Sequence, residues 1–257
     1  LAGFTPGLIL ASLFMVTVLI GCLFRPKWGG KKIKTDWQAR WNTLPDMIPP
    51  LIIFFVVIGT IYLGWATPTE SAALGVIIAL VLAAWRRRLT IAMLRDAIEG
   101  TMRTTGMTMM ILVAAFFLNF IITSIGLTAK VNAWVLGMGL TPMETLIAVV
   151  LFYLILGMFM ETLSMMVATV PIITPLIIAL GFDPVWFGVL IMLLIETAMI
   201  TPPVGINLFI VQGVRGRGQL HDVMLGALPF VGSLVVMIVL LIIFPEIALW
   251  LPELLRK

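Results

Sequence analysis

Residues 5–24, 49–65, 71–85, 146–180, 185–212 and 227–250 form apolar runs, each near or above the roughly 20 residues that a helix needs to cross a bilayer. None alternates with the period of two that marks a membrane barrel strand. Hydrocarbon offers no partner to a backbone N–H or C=O, so segments of this kind fold as helices and pack as a bundle. The composition agrees, with 61% hydrophobic residues, 11% charged residues and a mean hydropathy of +1.18. The expected fold class is an all-α integral membrane protein, a multi-span helical bundle.

The charge distribution orients it. Of the 16 lysines and arginines, all but Lys130, Arg256 and Lys257 fall in three connections. Arg25, Lys27, Lys31, Lys32, Lys34 and Arg40 follow the first run, Arg86, Arg87, Arg88, Arg95 and Arg103 the third, and Arg215 and Arg217 the fifth. If each run crosses once, these share one face, which the positive-inside rule makes cytoplasmic. The opposite connections, 66–70 and 181–184, carry no basic residue. The net charge of +4 is thus explained by topology and implies no nucleic-acid partner. Trp65, Trp85, Trp186 and Trp250 stand at span ends, where indole rings favour the interface. Residues 90–103, TIAMLRDAIEGTMR, read as a short amphipathic helix lying along the cytoplasmic surface, or as a brace for the next element. The chain opens at Leu1 with neither a charged n-region nor a cleavage site, so no signal peptide is read and a longer polypeptide is expected.

Three interruptions break the apolar pattern. The segment 105–140 is apolar up to ITSIGLTAK and resumes at VNAWVLGM. It reads as a re-entrant hairpin with Thr123, Ser124, Gly126 and Thr128 at its tip, or as a loop between two short spans. Residues 146–180 would measure about 52 Å as one straight helix, against a hydrocarbon thickness of about 30 Å. This run must bend, break or tilt, and the expected break is 160–175, where Glu161, Thr162, Ser164 and Thr169 precede Pro171 and Pro175. Pro171 cannot donate to the carbonyl of Val167. The methionines nearby read as adaptable packing.

The third interruption is ETAMITPPVGIN, residues 196–207. Pro202 and Pro203 lack N–H groups and are expected to displace the carbonyls of Ala198 and Met199, while Gly205 relaxes the backbone that follows. Those carbonyls, the Thr201 hydroxyl and the Asn207 amide are oxygen donors suited to a hard cation such as sodium. Discontinuous helices near the membrane midplane are where secondary transporters hold coupling ions and substrates. A kink that serves only packing is the alternative. Glu161 and Glu196 are site candidates because a carboxylate at membrane depth is costly unless paired or protonated.

The chain divides into a span with a basic linker (1–48), a scaffold-like span pair with the interfacial helix (49–104), a transport region (105–213), and a loop with the last span (214–257). Within the transport region the hairpin is 105–140 and the broken helices are 146–180 and 185–212. Catalysis has no support here, since HExxH, GxSxG and Walker A motifs are missing and the one histidine, His221, falls in a loop. One cysteine, Cys22, permits no internal disulfide. A channel could use the same polar breaks as a carrier, and flux measurements separate the two.

GWATPTESAALGV (64–76), GMFMETLSMMVATVPIITPLIIALGFDPVWFG (157–188) and ITPPVGINLF (200–209) resemble the large membrane subunit of TRAP transporters, the tripartite ATP-independent periplasmic uptake systems. The resemblance covers essentially the whole chain and corresponds to the subunit's C-terminal portion. It implies an elevator-type fold with inverted repeats, of which the second is present here, in the bacterial inner membrane. It further implies sodium-gradient coupling without an organic cofactor, a small four-helix membrane subunit and a periplasmic substrate-binding protein that delivers an organic acid. By that likeness 105–140 is the second hairpin and 200–207 part of the sodium-binding region. Thr123, Ser124 and Gly126 at the hairpin tip are the companion ion-binding candidates. Glu161, Thr162, Ser164, Thr169 and Glu196 are candidates for lining the substrate site.

Overall fold

The computed structural model describes residues 1–24, 26, 37–203 and 205–255. Among them every regular element is a helix: α1 (Phe4–Phe24), α2 (Trp37–Tyr62), α3 (Pro68–Trp85), α4 (Ile91–Ser124), α5 (Leu127–Gly137), α6 (Pro142–Gly157), α7 (Thr162–Ala179), α8 (Pro184–Ile200), α9 (Ile206–Arg215), α10 (Leu220–Ile243) and α11 (Glu246–Leu255). Five of these, α1, α3, α4, α7 and α10, are long and apolar enough to cross a membrane. The basic residues Arg25, Lys27, Lys31, Lys32, Lys34, Arg256 and Lys257 lie outside the described residues.

The helices form two compact units. In the unit Gly30–Thr108, α2 and α3 pack side by side. A Cβ on Gly75 would stand 2.8 Å from Val57 Cγ2, so glycine sets how closely the two helices approach. Thr60 and Ser71 share a hydroxyl hydrogen bond of 2.9 Å across the pair. The turn into α3 is built from ATPTE. Thr67 is the N-cap, Pro68 holds the first helical position, and the Glu70 carboxylate accepts from the Thr67 N–H at 2.8 Å. The expected short helix 90–103 does not end at Arg103. Thr90 caps α4 by accepting from Met93 N–H at 3.1 Å, and the helix then runs unbroken for 34 residues. No proline interrupts it, and the hydroxyls of Thr101 and Thr104 turn back onto the carbonyls of Ala97 and Gly100.

The other unit, Leu1–Gly29 with Met109–Lys257, holds the core, where Leu146, Tyr153, Met165, Ile177, Phe187, Leu190, Leu194 and Met237 are closed off from solvent. Helix directions follow from side-chain pairs. Phe14 meets Phe230 edge to face with ring centroids 5.5 Å apart, Thr17 bonds Ser233, and Cys22 shares a cavity wall with Gly226. These contacts lay α1 along α10. Trp186, at the start of α8, donates its indole N–H to the Leu241 carbonyl at the end of α10, so α8 and α10, which pack together, are antiparallel.

That bond corrects the reading of Trp186 as an interfacial ring. Trp65 is 77% exposed, but Trp186 is 2% exposed and stacks on Phe182 with centroids 5.4 Å apart. Residues 227–250 are likewise not one helix. Pro245 ends α10, and α11 follows it.

The largest departure from expectation is at 146–180. A continuous helix would separate residues 153 and 169 by about 24 Å. Their hydroxyls are instead hydrogen-bonded at 2.7 Å. Thr145, Val149 and Phe152 of α6 also face Thr169, Ile173 and Leu176 of α7 across one cavity. The chain therefore reverses at 158–161, and α6 and α7 form a packed antiparallel hairpin. The interruption sits at the N-terminal edge of the expected 160–175, and Pro171 and Pro175 lie inside α7 without ending it. Among the described residues α4 and α5, expected as the hairpin, are joined by the turn at Ile125 and Gly126 but do not pack along each other.

Candidate functional site

The 158–161 turn and the 201–205 interruption meet. Thr162, the first residue of α7, donates its hydroxyl to Met199 Sδ at 2.8 Å. Gly157, the last residue of α6, lies so close to α8 that a Cβ there would stand 2.6 Å from Ala198 Cβ and 3.2 Å from Met165 Cε. Two helix ends and two helix starts, α6 and α8 arriving and α7 and α9 leaving, thus bound one region of the molecule.

Each chain break has its own chemistry. At the turn, Glu161 is the N-cap of α7 and accepts from Ser164 N–H at 3.2 Å, so this carboxylate answers the helix's free donors. At the interruption, Thr201 N–H donates to the Ala198 carbonyl at 3.1 Å. The Ala198 carbonyl is therefore not released as expected. Ala198 is instead a packing residue, buried against Gly157. Pro203 cannot donate to the Met199 carbonyl, and this oxygen and that of Thr201 both come within 3.0 Å of where a Gly205 Cβ would stand. Gly205 is buried with a left-handed φ of 36°. A side chain there would fill the space beside the two carbonyls and strain the backbone.

The Thr201 hydroxyl donates its proton to the Thr197 carbonyl at 2.6 Å, which leaves its lone pairs as acceptors. Pro202 is half-buried and Pro203 exposed. Asn207 stands half-buried in the first turn of α9, a helix that begins without a side-chain cap. The carbonyl oxygens of Met199 and Thr201 and the Thr201 hydroxyl are donors of the kind that a hard cation takes.

Other candidates lie elsewhere. Thr169 is buried and bonded to Tyr153 and to the Met165 carbonyl, on a cavity of about 440 Å³ between α5, α6 and α7. Glu196 is on the exposed face of α8. Ser124 bonds the Phe120 carbonyl within α4, and Gly126 makes the left-handed turn into α5. Among the described residues no hydrogen bond links Thr123, Ser124 or Gly126 to the interruption. Sequence reasoning passed over Gly157 and Tyr153. A glycine ending an apolar run beside GMFME was the available signal for the first.

Over residues 1–247 the chain matches the family described as the tripartite ATP-independent periplasmic transporter, DctM component. It belongs to that family. Relatives include the C4-dicarboxylate TRAP transporter large permease protein DctM of Rhodobacter capsulatus, 30% identical over 99% of this chain and 58% of the relative. The sialic acid large permease SiaM of Vibrio cholerae is also 30% identical, over 99% of this chain and 59% of the relative. The ectoine large permease TeaC of Halomonas elongata gives the same three figures, 30%, 99% and 59%. The chain thus spans under two thirds of the length of the curated relatives it matches. Family membership and the five spans together make it a multi-pass protein of the inner membrane.

Proposed function

We propose that this chain is part of the large permease of a tripartite transporter and takes up a small organic acid in symport with sodium. The observation that carries the reading is the meeting of the two interruptions through Thr162 and Met199, with the Met199 and Thr201 oxygens gathered beside Gly205. Such a junction places backbone oxygens for a cation next to helix starts whose dipoles favour an anion. The Glu161 carboxylate already answers the start of α7, so the uncapped start of α9, with Asn207, is the better partner for a substrate carboxylate. Bound sodium would supply the positive charge that offsets this carboxylate at membrane depth. The relatives named for C4-dicarboxylates, sialic acid and isethionate support an acidic substrate class. A relative named as a fused DctMQ permease supports a small membrane subunit as partner, and a periplasmic binding protein completes the tripartite set.

The test is uptake into liposomes by the complete transporter. Thr201→Val keeps shape and removes one oxygen, and should raise the sodium concentration for half-maximal uptake on the order of tenfold without impairing assembly. Asn207→Ala should raise the substrate requirement instead. Unchanged sodium dependence in Thr201→Val would remove this segment from the ion site. Uptake by the chain without a small subunit or binding protein would point to a self-sufficient carrier or channel.

A further inference from the structure

Pro171 lies inside α7 and has no N–H to offer the Val167 carbonyl one turn before it. That carbonyl is taken by another helix: Asn119 Nδ2, on α4, lies 3.4 Å from it. Asn119 is half-buried within the apolar run FFLNFII, where an amide is costly unless it is bonded. Around this contact α4 and α7 are not close-packed. Ile111, Ala115 and Leu118 of α4, Met160 of the 158–161 turn, and Ser164 and Ala168 of α7 line a cavity of about 250 Å³. Among the described residues no other side-chain hydrogen bond joins the two helices.

We propose that Asn119 is a releasable tether: its amide replaces the donor that Pro171 removed and holds α4 across this cavity to the hairpin that carries the 158–161 turn. A long bond between neutral partners is modest, so it positions the helices without locking them. Release exposes an amide and a carbonyl together, and water entering the cavity beside Ser164 can satisfy both. Opening and hydration of the cavity are then one event. The tether depends on neither the identity of the substrate nor the coupling ion.

The test uses the full chain in detergent, with Cys22→Ser and Ala168→Cys as a reporter in the cavity wall. The rate of labelling by a small water-soluble methanethiosulfonate reads the open population. Asn119→Leu, close in shape and without a donor, should raise that rate roughly 5–30-fold. Pro171→Ala restores an N–H for Val167, so Asn119→Leu in that background should change the rate by less than about twofold. Parental labelling in Asn119→Leu, or the same increase with and without Pro171, overturns the tether. Should Asn119→Leu protein fail to accumulate, Pro171→Ala must restore monodisperse protein, and continued loss is equally fatal to the proposal.

Discussion

A proline withholds the hydrogen bond due to the carbonyl four residues earlier, and at Pro245 and Pro171 the replacement comes from a residue distant in sequence. Pro245 withholds it from Leu241, whose buried carbonyl receives the indole N–H of Trp186 at 2.9 Å. The ring is thereby drawn into the core even though an indole suits a membrane interface. Trp186→Phe keeps most of the bulk and loses the donor, so the Leu241 oxygen would be left unpaired at a cost of roughly 1–3 kcal/mol. The expected result is a lower thermal midpoint for the purified chain, with exposed Trp65→Phe as a control that does not move it. Equal midpoints for the two would show that the indole bond adds nothing. Gly205 has the same local character, since two carbonyls 3.0 Å from the Cβ position leave no substituent room there.

Between elements, Gly157 decides how closely α6 can approach α8, and so whether the α6–α7 turn reaches the interruption after α8. A methyl group on Gly157 would stand 2.6 Å from Ala198 Cβ, well inside van der Waals contact. Gly157→Ala should therefore part the two helices and destabilise the chain by roughly 1–3 kcal/mol, as overpacking does. Ala198→Gly removes the opposing methyl. The double variant should regain most of the midpoint lost by Gly157→Ala, and a simple sum of the two single effects would show that the methyls do not compete. The start of α6 is independent of this contact. There Thr141, Pro142 and Glu144 repeat the capping arrangement of Thr67, Pro68 and Glu70, with the Glu144 carboxylate accepting from Thr141 N–H at 2.8 Å.

At the scale of the whole molecule, the reversal of α6 and α7 changes which connections share a face. Thr145 and Leu176 stand on one cavity wall, so the start of α6 and the end of α7 lie at the same end of their unit. The Trp186–Leu241 bond adds the end of α10 to that group, while the loop with the Arg215–Asp222 ion pair of 3.6 Å lies at the other end, beyond the start of α10. Single cysteines at Leu140, Phe182 and Arg217 in a Cys22→Ser chain should report this in intact cells. Leu140→Cys and Phe182→Cys should react with an impermeant maleimide added outside, and Arg217→Cys only after permeabilisation. Opposite accessibility of positions 140 and 182 would mean that α6 and α7 do not fold back.

The amino-acid sequence by itself determined the solvent, the helical class and the places where helices stop. Bilayer-length apolar runs favour helices throughout, and Pro202, Pro203 and Gly205 together mark the interruption between α8 and α9, although the tandem Pro49 and Pro50 alone leaves α2 unbroken. The family motifs were equally legible, because they are local. The course of residues 146–180 was not. Excess length is relieved equally well by a bend, a tilt or a reversal, and the choice rests on Tyr153 finding Thr169 and on Gly157 finding Ala198, partners 16 or more residues away. The same holds for each freed carbonyl. A proline announces in sequence that an acceptor has lost its donor, but only the packed structure decides whether an indole, an amide or a neighbouring backbone N–H takes the vacated position, since the replacement must be within hydrogen-bond reach in space.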